Sequence, residues 1–87
     1  MAEVVLPSSL TELFPGAGHR VQVEASTVRA VIDALDQRWP GMRNRLCVTD
    51  TAIRQHINIF VDSEQATLES SVAAASEVLI IPALSGG

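Results

Sequence analysis

No lysine and no tyrosine occur among the 87 residues, and cysteine and tryptophan occur once each. The single Cys47 cannot close an internal disulfide, which points to a reducing compartment. Without lysine the chain cannot be linked into polymers through its own side-chain amines; its six basic residues are Arg20, Arg29, Arg38, Arg43, Arg45 and Arg54. A formal net charge of -4 speaks against nucleic acid as a main ligand. The longest apolar run, from Val78 through Pro82 to Leu84, is far too short to cross a bilayer, and no basic segment followed by an apolar one opens the chain. A cytoplasmic location without membrane contact is therefore expected. Chemistry-bearing groups are scarce as well: His19 and His56 have no companion ligands at metal-like spacing, and there is no glycine-rich phosphate loop, no paired-carboxylate set and no Ser/His/Asp set. Cys47 sits between Leu46 and Val48, the setting of a structural thiol rather than a nucleophile. The sequence predicts neither an enzyme nor a bound metal or cofactor.

What is present is apolar. Hydrophobic residues make up 47% of the chain, enough for one packed domain without staples. The charges are unevenly spread, because beyond Arg54 only the acids Asp62, Glu64, Glu69 and Glu77 occur. Such a face is either simply solvated or steers the encounter with a basic partner surface.

Taken in order, Glu3-Val4-Val5-Leu6 is a β-rich run stopped by Pro7, and Arg20-Val21-Gln22-Val23-Glu24 alternates as a half-buried strand does. These two predict a hairpin, with a helical turn over Ser8 to Phe14 and a reversal at Pro15-Gly16-Ala17-Gly18 between them. Ser26 is the expected N-cap of a helix whose Val28, Val31, Ile32, Leu35 and Trp39 share one face, and Pro40-Gly41 ends it. A short second helix is expected over Met42 to Leu46. From His56 the alternation sends Ile57, Ile59 and Val61 toward the helix and leaves Phe60 outside. Asp62-Ser63-Glu64-Gln65 reads as a turn, Ala66-Thr67-Leu68 as a short edge strand, and residues 69–77 as a loop or helical turn leading to the last strand. In the last strand Val78 and Ile80 share the core face, which puts Leu79 and Ile81 beside Phe60 in an exposed apolar patch.

The final stretch, Ile80-Ile81-Pro82-Ala83-Leu84-Ser85-Gly86-Gly87, gives that patch a purpose. A terminal glycine has no side chain, so a narrow channel can admit it and a nucleophile can reach its carbonyl from either face. An α-carboxylate is ionised at neutral pH and a poor acyl donor, so it must first be activated, for example as a mixed anhydride with a nucleotide phosphate. Glycine-rich chain ends also arise without a function; here the glycines follow closely on a strand and a proline, which favours a folded body over residues 1–82 and a flexible working tail over 83–87. Ordering that tail inside a partner costs roughly 5–10 kcal/mol. Burying Phe60, Leu79 and Ile81 returns about 5–9 kcal/mol, so patch and tail together can dock where the tail alone would not. A loop or a second copy of the chain covering the patch is the competing reading.

The order strand, strand, helix, strand, short strand, strand describes an α+β protein: a mixed sheet of four to five strands packed on one main helix, with a short second helix. That is the β-grasp arrangement of ubiquitin-like folds. Over nearly its whole length the chain resembles the ThiS/MoaD group of ubiquitin-like sulfur carrier proteins, most specifically in Asn58-Ile59-Phe60-Val61-Asp62, in Glu77-Val78-Leu79-Ile80-Ile81-Pro82-Ala83 and in Gly86-Gly87. Glu3-Val4-Val5-Leu6-Pro7 and the helix over residues 40–46 are more similar to the cysteine-biosynthesis (CysO) branch than to the shorter thiamine carrier. The resemblance implies that an adenylating enzyme related to ubiquitin-activating enzymes uses ATP to convert the Gly87 carboxylate into an acyl-adenylate, which sulfur displaces to give a thiocarboxylate. It further implies that Leu84, Ser85 and Gly86 thread into the partner and that Phe60, Leu79 and Ile81 are the docking face. In the CysO branch a cysteine synthase accepts the sulfur and a metalloprotease then releases cysteine. This chain departs from many members in carrying Ala74-Ala75-Ser76-Glu77 where they have a Gly-Asp turn, and its first strand lacks the aromatics common in molybdopterin-synthase small subunits. Such a subunit, and a ubiquitin-like modifier or interaction module, are the alternatives.

Overall fold

The computed structural model describes residues 1–49 and 52–82. The expected tail, residues 83–87, lies outside them. Among the described residues, seven strands and three helices follow one another as β1 (Ala2–Val5), α1 (Ser8–Thr11), β2 (Arg20–Val23), α2 (Val28–Arg38), α3 (Met42–Leu46), β3 (Cys47–Thr49), β4 (Ala52–Ile53), β5 (Ile57–Val61), β6 (Glu64–Gln65) and β7 (Glu77–Pro82). Five strands form one sheet in the order β2-β1-β7-β5-β6, while β3 and β4 make a separate hairpin. The first hairpin is antiparallel, with Val4 opposite Val21, and β7 inserts beside β1 in parallel, with Val4 opposite Val78. A last strand lying parallel to the first at the centre of the sheet, under a crossing helix, is the β-grasp arrangement.

The core is the face the alternation predicts. Ala2, Val4, Val21, Val23, Ile59, Val78 and Ile80 point from the sheet toward Val28, Val31, Ile32 and Leu35 of α2, and all are buried. Each large side chain so removed from water contributes about 1.5–3 kcal/mol, which makes this layer the main source of stability. Met42 and Leu46 of α3 close one end, and Phe14 and Trp39 pack against the cluster from its rim.

Helix α2 begins one residue later than its sequence suggests. Thr27, not Ser26, is the N-cap: its extended backbone precedes the first turn and its hydroxyl accepts from the Ala30 N–H at 3.1 Å. The two preceding amides donate to the loop that follows β6, Val28 to the Ser70 carbonyl at 3.0 Å and Arg29 to the Leu68 carbonyl at 2.9 Å. Thus three of the four amides that a helix start leaves without intrahelical partners are satisfied, and two of those bonds tie the long loop down. The chain leaves α2 through Gly41, whose φ of +101° a side chain would strain. Asp36 reaches over from α2, and one of its oxygens accepts from the Gly41 and Arg43 amides at 3.1 and 3.0 Å, so α3 starts without a cap of its own.

The second correction concerns the edge strand. Asp62 and Ser63 both adopt positive φ, +50° and +73°, the geometry of a two-residue hairpin turn that matches strand twist. The chain therefore reverses within two residues and β6 is Glu64–Gln65, paired with Val61 and Phe60; Ala66-Thr67-Leu68 follows the strand, with Leu68 turned into the core. The departure at Ala74-Ala75-Ser76-Glu77 has a structural counterpart. The Ser76 hydroxyl accepts from the Ala73 amide at 2.9 Å and donates to Asp62 at 2.8 Å, while the other Asp62 oxygen accepts from the Glu77 amide at 2.9 Å. One carboxylate joins the turn after β5 to the turn before β7.

Candidate functional site

On the face of the sheet away from α2, pairing places side chains in rows. Val5 lies opposite Leu79, and Leu79 lies opposite Phe60 on its other side, so one row crosses β1, β7 and β5. Arg20 extends it at the β2 edge and Gln65 at the β6 edge. Ile81, two residues beyond Leu79 on β7, stands opposite Asn58, whose Oδ1 accepts from the Gln65 side-chain Nε2 at 3.3 Å. The structure thus brings Phe60, Leu79 and Ile81 together on one face, as the alternation requires. It adds Val5, which the strand run Glu3-Val4-Val5-Leu6 could have yielded, since Val4 facing the core forces Val5 outward.

The patch is less exposed than expected: Val5, Phe60, Leu79 and Ile81 are each half-buried, whereas the exposed large hydrophobic side chains among the described residues are Met1, Leu13 and Val48. Neighbours in a row only about 5 Å apart shield one another, so the face is a continuous shallow surface rather than a set of separate knobs. The rim is charged. Arg20 pairs with Glu3 at 2.7 Å and approaches Glu77 at 3.9 Å, all three on the outer face beside Val5 and Leu79. The face belongs to β7, and β7 runs on to Pro82, opposite Ile57 at the start of β5. The other expected site residues, Leu84, Ser85, Gly86 and Gly87, lie outside the described residues.

Elsewhere the chemistry is that of a scaffold. Cys47 is buried at the end of α3, and loss of hydration pushes its thiol pKa up, an effect that Arg43, Arg29 and Arg54 only partly offset. Such a thiol is a poor nucleophile. The backbone amide of Glu77 and the Ser76 hydroxyl hold the Asp62 carboxyl below the usual carboxylate range, a structural role. Among the described residues no group of three or more His, Cys, Asp or Glu side chains could hold a metal, and no helix is long and apolar enough to cross a membrane.

The model of one family, the ThiS family, matches residues 4–87. The chain belongs to the ThiS family. Among curated relatives, small archaeal modifier protein 1 of Haloferax volcanii is 32% identical over 81 residues, spanning 92% of this chain and 93% of that one. Among solved structures, a chain of the Amycolatopsis orientalis BexX/CysO complex is 27% identical and superposes with a TM-score of 0.89, each chain covered in full. Mycobacterium tuberculosis CysO is 26% identical with a TM-score of 0.87, over 97% of this chain and all of that one. This ThiS-family chain is therefore a ubiquitin-like β-grasp protein whose relatives are small proteins, one named a modifier and one solved in a complex.

Proposed function

We propose that the protein is a sulfur carrier, a co-substrate of partner enzymes rather than an enzyme. Residues 1–82 are the folded body and residues 83–87 the tail that enters the partner. The Gly87 carboxylate attacks the α-phosphate of ATP on an adenylating enzyme related to ubiquitin-activating enzymes, releasing pyrophosphate. Sulfide displaces AMP from the acyl-adenylate and leaves a thiocarboxylate on Gly87; if a persulfide attacks instead, the resulting acyl disulfide is cleaved by a second thiol, which leaves as a disulfide with the persulfide's parent sulfur. ATP is bound by the partner; the carrier itself needs no cofactor. The acceptor in this reading is an enzyme such as a cysteine synthase in the cytoplasm, with a metalloprotease freeing the product.

The observation that carries the reading is that β7 bears Leu79 and Ile81 of the outer apolar face and leads, after Pro82, into Leu84-Ser85-Gly86-Gly87. The docking face and the reactive end are thereby only a few residues apart in sequence. The likeness to CysO supports the cysteine branch. Incubation with ATP, sulfide and the adenylating enzyme of the same cell, followed by intact-mass measurement and C-terminal fragmentation, tests it: one oxygen of Gly87 is replaced by sulfur. The relationship to small archaeal modifier protein 1 favours a second use, as a protein modifier. Gly87 joined by an isopeptide bond to lysines of other proteins would mark that use, and the absence of lysine here limits each adduct to chains not built on this protein's own side-chain amines.

A further inference from the structure

Charge is segregated along the chain. Residues 38–54 hold four arginines, Arg38, Arg43, Arg45 and Arg54, against one acid, Asp50, whereas residues 55–87 hold four acids and no base. Arg45 and Arg54, with Gly41 and Asn44, line an open cleft of about 610 Å³ beside α3. Both arginines are exposed. Arg54 is oriented rather than free-swinging, since its Nε donates to the Asn44 carbonyl at 2.8 Å, a bond that leaves its terminal amino groups to the cleft. Arg45 has no partner among the described residues.

The acids of α2 that contact residues 41–43 are already engaged. Asp36 accepts from the Gly41 and Arg43 amides, and Asp33 pairs with Arg43. The position also matters. The Arg54 carbonyl accepts from the Ile57 amide at 3.0 Å, and Ile57 is the strand partner of Pro82, so the arginine pair flanks the end of the sheet from which the tail departs.

We infer that Arg45 and Arg54 form a second docking site, which receives an acidic segment of the protein that takes up the tail. Guanidinium groups suit paired carboxylates because they offer forked donors, and an oriented Arg54 loses less freedom on binding. Contacts of this exposed kind act on encounter rate and salt dependence more than on the locked complex. The site complements the apolar face: one fixes the sheet, the other fixes the rotation of the molecule about the tail.

The partner's identity rests on the carrier reading, but the surface can be tested without it. The full chain, isotope-labelled, is titrated with a hexaglutamate peptide at low salt and followed by NMR. The Nε–H signals of Arg45 and Arg54 and the amides of residues 41–46 should shift together and saturate, and the double variant R45E/R54E, folded by its remaining spectrum, should bind about tenfold more weakly. Shifts spread evenly over Arg20, Arg29 and Arg38, no saturation, or equal binding of inorganic phosphate would overturn the inference. If the peptide binds but no thiocarboxylate forms with any adenylating enzyme, the surface stands and the carrier reading falls.

Discussion

Leu79 is the residue on which the docking account bears hardest, because it is flanked by Val5 and Phe60 and cannot lose its side chain without interrupting the row. Leu79→Ala is expected to fold, since the side chain is only half-buried, yet to raise the KM for adenylation about tenfold, close to 1.4 kcal/mol, with kcat little changed. Steady-state kinetics with the partner enzyme, beside a thermal melt, separates docking from stability. Asp62 yields a prediction of another kind. Its folded pKa is lowered, first by the Glu77 amide and then by the Ser76 hydroxyl, so its stabilising effect is present above the ordinary carboxylate pKa of about 3.9 and is lost as pH falls through the lowered value. Asp62→Asn should be less stable than wild type at neutral pH and should show a shallower loss of melting temperature on acidification below about pH 4. Parallel curves for the two proteins would remove Asp62 from this role.

Among the elements, α2 shows what local sequence conveys and where it stops. Its apolar stripe, the stop at Pro40-Gly41 and the short helix Met42–Leu46 were legible because each rests on spacing or on a residue with a fixed backbone preference. Its first turn was not, because Ser26 and Thr27 are adjacent hydroxyl residues and the choice between them is made by the distant loop that offers Leu68 and Ser70 carbonyls to the next two amides. The position of the edge strand is not legible locally, because nothing in the sequence nearby announces that Asp62 and Ser63 both take positive φ; the Ser76 and Glu77 contacts that hold Asp62 lie 14 and 15 residues away. The hairpin of β3 and β4 escaped notice because three- and two-residue strands are too short to show a period. Thr27→Ala should cost about 1 kcal/mol in denaturant unfolding at unchanged m-value, whereas Ser26→Ala should cost a few tenths at most. Equal costs would return the cap to Ser26.

At the scale of the whole molecule the fold joins remote pieces. The parallel pairing of β1 with β7 brings Glu3-Val4-Val5 against Glu77-Val78-Leu79, a contact between the two ends of the chain that no periodicity reveals but that completes the outer row through Val5. The faces of Phe60, Leu79 and Ile81 were readable beforehand because a two-residue repeat fixes them once the core side is known. Leu35→Ala, at the centre of the single core, is expected to cost about 2–5 kcal/mol, a large share of what a domain of this size has, and so to lower activity through abundance rather than through docking. Urea titration should show that loss, while the surviving folded fraction keeps the wild-type KM.

In a carrier of this kind Gly87 holds the transferred atom. The most direct test is the C-terminal mass of the protein recovered after reaction with ATP, sulfide and the adenylating enzyme. The account predicts sulfur in place of one oxygen at Gly87, in wild type but not after deletion of that residue. An unaltered Gly87 with every adenylating enzyme of the cell, each active on another carrier, would contradict it.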